Sequence, residues 1–177
     1  IETGDYFTPY YQGQKRFSKP IFTYWLMAIS NKLFGPGLVA ARFWSAFLGA
    51  GCSILTFLLT RRLFGTKPAL LSSLILPGTF IHFTVARWAT TDMILNFFIL
   101  ATFYFFIRGY QEDSVSSKSY LLAYGSLSLG FLTKGPPAIL IPALVISSFL
   151  ILSSQAEKLF RLKFFSGLAI FLAINLP

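Results

Sequence analysis

The chain has 177 residues, of which 55% are hydrophobic and 12% charged, with a net charge of +9 at pH 7. Soluble domains carry about 25% charged residues, so a soluble fold of this composition would expose large apolar patches. A nucleic-acid-binding domain would gather its basic residues on a hydrophilic face, whereas here they separate long apolar runs. The single cysteine, Cys52, excludes an internal disulfide and a cysteine-rich metal site. The composition therefore favours a membrane protein.

The first 37 residues are predicted to form a loop on the outer face of the membrane. Its second half, residues 20–34, has the pattern of a helix that is too short to cross a bilayer, which requires roughly 20 residues. Trp25 and Lys32 are residue types that suit a helix lying at the membrane interface. Residues 35–37, Gly-Pro-Gly, are expected to end it.

The remainder predicts an all-α fold, a polytopic membrane helical bundle with five complete transmembrane helices and one partial helix. The last stretch ends inside an apolar run and the chain begins with Ile1, so we expect a piece of a longer protein. The predicted spans lie near residues 38–62, 68–88, 91–108, 118–134, 135–155 and 163–177.

Two of these stretches are short. Residues 93–107 and 119–133 each contain 15 residues between charges, which corresponds to about 22 Å of helix against a hydrocarbon core of about 30 Å. Either the bilayer thins locally, or Asp92 and Lys134 lie below the membrane surface. Polar residues at that depth normally line a cavity within the protein, so these two become candidates for function.

The connections between spans differ in charge. Three polar links, over residues 61–67, 108–118 and 157–163, carry eight basic residues, and the positive-inside rule places such links in the cytoplasm. The outer side nevertheless retains seven basic residues, which an anionic ligand there would explain. This topology puts four features on the outer face: residues 1–37, Arg87, Asp92 and Lys134.

Lys19 and Lys134 both precede prolines at the predicted starts of helices. A cation at a helix N-terminus opposes the helix dipole, which favours anions there by roughly 0.3–1 kcal/mol. Two such lysines on one face make sense if a phosphate binds the free N–H groups and the lysines neutralise it. The alternative for Lys19 is an interfacial lysine that reaches the headgroups. For Lys134, at the end of a short span, we favour function.

Thr90, Thr91 and Asp92 precede a predicted helix and are good helix-capping residues. The functional alternative is that Asp92 orients an acceptor or a sugar, with Arg87 as its partner. Asp92 is the single acidic residue in the outer-face turns between spans. Arg87 has two simpler explanations, an ion pair with Asp92 or contact with lipid headgroups.

Other candidates are weaker. Tyr6, Tyr10, Tyr11 and Phe17 could stack on a sugar, but aromatic residues commonly line membrane interfaces. His82 is a lone histidine on a span, and a ligand role is not expected without partners. The sequence contains no phosphate-binding loop, no zinc-protease motif and no nucleophile elbow. We expect no cofactor, although a divalent metal stays open.

Seven short motifs, in order along the chain, resemble motifs of the protein O-mannosyltransferase and aminoarabinose transferase superfamily. Each motif alone is weak, but their order and spacing are more specific, and together they span nearly the whole chain. The motifs are ETGDYFTP from Glu2, FSKP from Phe17, YWL from Tyr24, AAR from Ala40, RLFG from Arg62, ATTDM from Ala89 and GFLTKGP from Gly130.

The resemblance implies a C-type glycosyltransferase (GT-C) fold in a multi-pass bacterial inner-membrane protein, with its active site on the extracytoplasmic face. Such enzymes move a sugar from a polyprenyl-phosphate donor to a protein, lipid or glycan. By this resemblance Lys19 and Lys134 match positions near the donor phosphate, with Arg87 and Tyr24 as further substrate-binding candidates. Asp92 matches an acidic position near the reacting groups and is the catalytic candidate.

The resemblance also has a gap. The family's main catalytic carboxylate belongs to an Asp-Glu pair upstream of Glu2, so Glu2 and Asp5 do not take its role. Two alternatives stay open, a membrane transporter or lipid flippase and a non-catalytic assembly subunit. A transporter is favoured by paired discontinuous helices in two related halves, and the sequence shows no such repeat. An upstream Asp-Glu pair would favour the enzyme.

Overall fold

Helices make up most of the structure, a computed structural model that describes residues 10–11, 14–15, 20–112, 118–155, 157 and 164–176. Two short strands, β1 (Tyr10–Tyr11) and β2 (Gln14–Lys15), pair antiparallel. The predicted all-α class is confirmed, and this hairpin is a small addition to it. The described helices are α1 (Phe22–Phe34), α2 (Leu38–Phe64), α3 (Thr66–Gly78), α4 (Phe80–Arg87), α5 (Thr91–Gln111), α6 (Lys118–Lys134), α7 (Pro137–Leu152) and α8 (Phe164–Asn175).

Helix α1 matches the predicted interfacial helix closely. Its 13 residues extend about 20 Å, well short of a bilayer core. Leu26 is buried against Leu48 of α2, and the indole N–H of Trp44 donates to the Leu26 carbonyl at 2.6 Å. These contacts fix α1 on the first half of α2. Its position at the membrane interface stays a prediction.

Helices α2 and α5, with 27 and 21 residues, are long and apolar enough to cross a membrane. The stretch predicted as one span over 68–88 is instead two helices, α3 and α4, bent by 59°. Pro77 and Gly78 are the last two residues of α3 and Thr79 is extended; proline and glycine are the two least favourable residues for a helix, so the helix ends here. Counted as one broken span, the pair makes a third candidate, and the number of five complete spans stays a prediction.

The charged residues expected to bound the short spans lie inside the helices. Helix α5 includes both Asp92 and Arg108, and its 21 residues extend about 31 Å, enough for a bilayer core. Helix α6 includes Lys134 as its last residue, and its 17 residues reach only about 25 Å. Both helices are therefore longer than the uncharged stretches within them, which still contain 15 residues each. Whether the bilayer thins locally or Asp92 and Lys134 lie below the membrane surface stays a prediction.

Helices α5 and α6 run antiparallel, which gives the bundle two distinct ends. Buried Ile94 and Phe98 of α5 pack near the end that contains Asp92. Buried Phe106 and Ile107 pack with Leu150 toward the other end. The two apolar clusters hold the helices together along their length.

The end opposite Asp92 carries a polar network. Arg62 donates to the side chain of Gln111 at 3.3 Å, and Gln111 donates back to the Arg62 carbonyl at 3.1 Å. Glu112 accepts from Arg108 at 2.9 Å and from Ser119 at 3.2 Å. All of these residues except Ser119, which follows directly, belong to the links predicted to face the cytoplasm.

Candidate functional site

Asp92 and Lys134 meet at one end of the bundle. Asp92 lies in the first turn of α5 and Lys134 in the last turn of α6, so the antiparallel helices bring the two residues together. The Lys134 ammonium forms an ion pair with Oδ1 of Asp92. Each charge also complements its own helix, since an anion suits the N-terminus and a cation the C-terminus. The prediction that both residues lie on one face is supported by this contact.

The pair corrects two sequence-based interpretations. Lys134 ends α6 rather than opening the next helix, so it does not oppose a helix dipole. Arg87, proposed as the partner of Asp92, ends α4 and places its guanidinium 5.1 Å from the ring centre of Phe83. In the described residues the ionic partner of Asp92 is therefore Lys134.

Helix α6 approaches its neighbours closely one turn before Lys134. A Cβ added at Gly130 would lie 3.2 Å from the Cβ of Ala138 in α7 and 3.3 Å from that of Phe98 in α5. Only a residue without a side chain permits this three-way contact at no cost. Gly130 thus lets α6 bring Lys134 within reach of α5.

A two-residue turn follows Lys134. Gly135 has φ +80°, a left-handed conformation that glycine adopts readily, and its N–H donates to Phe131 at 2.7 Å. Helix α7 begins at Pro137, and its first amides already have acceptors: Ala138 donates to Gly135 and Ile139 to Pro136. The expectation that a phosphate binds free N–H groups at this terminus is therefore not supported, and side chains become the better candidates.

The start of α5 is held by backbone and side-chain contacts rather than by a side-chain cap. Thr90 occupies the capping position but makes no capping hydrogen bond. Its carbonyl accepts from the Ser45 hydroxyl of α2 at 3.2 Å. Its own hydroxyl is buried and has no hydrogen-bond partner among the described residues. The predicted capping role of these threonines is thus not realised through the Thr90 side chain.

The remaining candidates are placed less completely. Lys19, Tyr6 and Phe17 lie outside the described residues, as do Glu2 and Asp5. Tyr10 and Tyr11 are described only as strand β1. Tyr24 is half-buried on α1, and its substrate-binding role stays a prediction.

The chemistry of the pair suits a ligand with both an anionic group and a hydroxyl. The side chains of Lys134 and Asp92 are 47% and 52% exposed, and exposed ion pairs typically contribute roughly 0.2–1 kcal/mol. The fold therefore gains little from the pair. An ammonium has three N–H donors, so Lys134 can contact Asp92 and an anion together.

Two further residues, Ser45 and His82, lie in the helices beside the ion pair. Ser45 is not among the candidates predicted from the sequence, and His82 is a candidate for which no ligand role is expected. Ser45 holds the start of α5, as described above. His82 is buried, and its Nε2 lies 3.2 Å from the Gly49 carbonyl. The sequence indicates the importance of His82 only through its being a single histidine in an apolar run, which does not identify Gly49 as its hydrogen-bond partner.

The family described as dolichyl-phosphate-mannose-protein mannosyltransferase matches residues 18–177, which is most of the chain. The chain belongs to this family. The resemblance based on the seven motifs is thereby confirmed, and the chain is part of an integral membrane protein.

Two relatives are similar over most of this chain. An uncharacterized protein of Aquifex aeolicus is 38% identical over 94% of this chain and 33% of its own length. The undecaprenyl phosphate-alpha-4-amino-4-deoxy-L-arabinose arabinosyl transferase of Edwardsiella ictaluri is 32% identical over 98% of this chain and 32% of its own. The chain thus spans about a third of the length of these relatives.

The fold also matches two solved structures. ArnT from Cupriavidus metallidurans in the apo state superposes with a TM-score of 0.92 at 27% identity, over 99% of this chain and 33% of that one. ArnT bound to undecaprenyl phosphate gives a TM-score of 0.89 at 28% identity, with the same coverage. The GT-C-like fold implied by the resemblance is confirmed over this segment.

Proposed function

We propose that the full-length protein is a glycosyltransferase, which moves a sugar from a polyprenyl-phosphate donor to an acceptor on the extracytoplasmic face. The observation that carries the proposal is the exposed pair of Asp92 and Lys134, a cation and a hydrogen-bond acceptor side by side. Support also comes from the relative named as an undecaprenyl phosphate aminoarabinose transferase. The acceptor class is a protein, a lipid or a glycan.

The proposed reaction is an inverting displacement at the sugar's anomeric carbon. The bond from that carbon to the donor phosphate oxygen breaks as a bond to the acceptor oxygen forms. A carboxylate upstream of this chain takes the acceptor proton as general base. Lys134, with Lys19 and Arg87 as further candidates, stabilises the negative charge that develops on the departing polyprenyl phosphate. Asp92 accepts a hydrogen bond from the sugar or acceptor and orients it.

The proposed setting is a multi-pass protein of the bacterial inner membrane. The links with most basic residues face the cytoplasm, following the positive-inside rule, which leaves Asp92 and Lys134 on the outer side. A polyprenyl-phosphate donor reaches that site from within the bilayer, so the donor's phosphate lies near the membrane surface.

The proposed reaction uses no cofactor. A lysine and a carboxylate perform the two tasks of charge stabilisation and orientation without one. Transfer is therefore expected to continue in the presence of EDTA, and loss of transfer that added Mg²⁺ or Mn²⁺ restores would contradict this part of the proposal.

The deciding experiment incubates the full-length protein in membranes with a labelled polyprenyl-phosphate sugar and follows transfer of the label. Lys134→Ala is expected to lower transfer by roughly 100-fold, the scale of removing one charge-stabilising group, while insertion into the membrane is unchanged. The matched control is Lys67→Ala, which removes an exposed lysine in the first turn of α3, five positions after Arg62, at the other end of the bundle. Full transfer by Lys134→Ala would overturn the proposed role.

The transporter or flippase alternative gains one feature from the fold. The bent pair of α3 and α4 is a discontinuous span, an element that transporters use. Those proteins pair two such elements in related halves, and the described residues contain one bent pair of this kind. Sugar transfer remains the function that the site supports best.

A further inference from the structure

Helix α4 is attached to α2 by a buried histidine. His82 is 7% exposed, and its Nε2 lies 3.2 Å from the carbonyl oxygen of Gly49. A carbonyl can only accept a hydrogen bond, so Nε2 carries the proton and donates. The Gly49 carbonyl lies inside α2, so this bond joins two helices across their interface.

The same face of α4 makes a close contact one turn further on. A Cβ added at Gly49 would lie 3.0 Å from the Cβ of Ala86 and 3.6 Å from Met93 of α5. His82 and Ala86 are four positions apart and so lie on one side of the helix. Gly49 is thus the point where α2, α4 and the start of α5 meet.

A second polar contact continues this interface toward the candidate site. Ser45 precedes Gly49 by one turn of α2, and its hydroxyl donates to the Thr90 carbonyl at 3.2 Å. Thr90 is two positions before Asp92. We call Ser45, Gly49, His82, Ala86 and Thr90 the α2–α4 seam, and it ends beside the ion pair.

Helix α4 depends on this seam for its position. It has eight residues, or about 12 Å, and the 59° break separates it from α3. Its other face is largely uncovered by the residues that the structure describes, with Phe80 and Ile81 82% and 76% exposed. A short helix with one buried face has few contacts to replace a lost hydrogen bond.

We propose that His82 is a positioning residue for the candidate site: its bond to Gly49 holds α4 on α2, and the seam thereby fixes Thr90 and the start of α5. Asp92 is then held where it meets Lys134. The consequence for catalysis rests on the proposed function, whereas the consequence for the position of Thr90 does not.

The first test uses Thr90→Cys as a reporter in the full-length protein, purified in nanodiscs and treated with a water-soluble maleimide. The Thr90 hydroxyl is buried, so a thiol in its place is expected to react slowly. Cys52 is the chain's one cysteine and is buried, and the parent protein gives the background rate. Adding His82→Leu is expected to raise the labelling rate of the reporter at least tenfold.

Two further variants make the result specific. His82→Gln places an amide N–H near the position of Nε2 and is expected to keep labelling slow. Ile81→Leu changes the neighbouring exposed residue and is expected to have no effect. Fast labelling of the reporter with His82 intact, equal labelling with His82→Leu, or a rise with Ile81→Leu would each overturn the proposal.

If His82→Leu does not accumulate in membranes, Gly49→Ala is combined with the Thr90→Cys reporter in its place. Its new methyl group presses on Ala86 from the α2 side, so it is expected to raise labelling in the same way. Unchanged labelling in that variant would overturn the proposal.

The second test measures sugar transfer by the same His82 variants without the reporter. His82→Leu is expected to lower kcat at least tenfold with little change in the donor KM, because Asp92 is displaced while the donor's lysines remain. His82→Gln is expected to restore kcat. If the parent shows no transfer, the proposed function fails and the labelling result still decides the role of His82. An unchanged kcat with fast labelling would overturn the link to catalysis.

Discussion

Asp92 and Lys134 form an ion pair although 42 positions separate them in the chain. Asp92 begins one helix and Lys134 ends the next, so the charges meet because α5 and α6 run antiparallel. Each side chain is also favourable for its own helix dipole. The helix dipoles and the site geometry therefore favour the same two residue types at the same two places.

Exchanging the two charges separates these contributions. The double variant Asp92→Lys with Lys134→Asp keeps an ion pair but places each charge at the wrong helix end, at a cost of roughly 0.3–1 kcal/mol per helix. We expect a small fall in Tm and a loss of sugar transfer of roughly 100-fold.

The single variants Asp92→Lys and Lys134→Asp provide the comparison. Each leaves two like charges together, so each is expected to unfold at a lower temperature than the double variant. Transfer by the double variant at the parent rate would show that the pair acts only through stability.

Gly135→Ala tests the turn after Lys134. Gly135 has φ +80°, and an L-residue in this conformation costs roughly 1–2 kcal/mol. We expect a lower Tm in a detergent-solubilised thermal unfolding measurement. Reduced transfer is also expected, since the turn fixes the end of α6.

Gly125→Ala is the matched control for this change. Gly125 lies inside α6, and a Cβ there would meet nothing within 4 Å. Alanine in a helix interior is favoured over glycine by roughly 0.5–1 kcal/mol, so this variant is expected to keep or raise Tm. If both variants lower Tm equally, backbone strain at Gly135 is not the cause.

Much of the fold could be predicted from the chain because its signals are local. Apolar runs and glycine–proline breaks locate α1, α2 and α5 within a few residues. The break between α3 and α4 was missed because residues 68–86 are uncharged throughout. Pro77 was present in that stretch, but proline inside a membrane helix does not always break it.

The sequence predicts which residues form the candidate site but not which of them are in contact. Asp92 and Lys134 can be identified as candidates because charges are rare beside apolar runs, and the loop charges place both on the outer face of the membrane. Their pairing with each other depends on which helices are neighbours, and the nearer Arg87 looked like the better partner. The contact of His82 with Gly49 involves a backbone carbonyl, which leaves no trace in a sequence.

The polar network at the opposite end should affect stability without affecting the donor. Gln111→Leu removes both hydrogen bonds with Arg62, and its effect is expected to be below about 1 kcal/mol because the contact is exposed. We expect a small fall in Tm and an unchanged donor KM. A several-fold rise in donor KM would mean that this end also contributes to binding.

The orientation of the bundle follows from its basic links and can be measured directly. Two single cysteine substitutions serve as labelling sites: Ala89→Cys, at an exposed residue before α5, and Thr66→Cys, at the exposed first residue of α3. Because the positive-inside rule places the basic links in the cytoplasm, a membrane-impermeant maleimide is expected to label Ala89→Cys in intact spheroplasts. Thr66→Cys should react only after the membrane is permeabilised, and the parent protein reports any reaction of buried Cys52. The reverse pattern would place Asp92 and Lys134 in the cytoplasm, where an extracytoplasmic transfer reaction cannot use them.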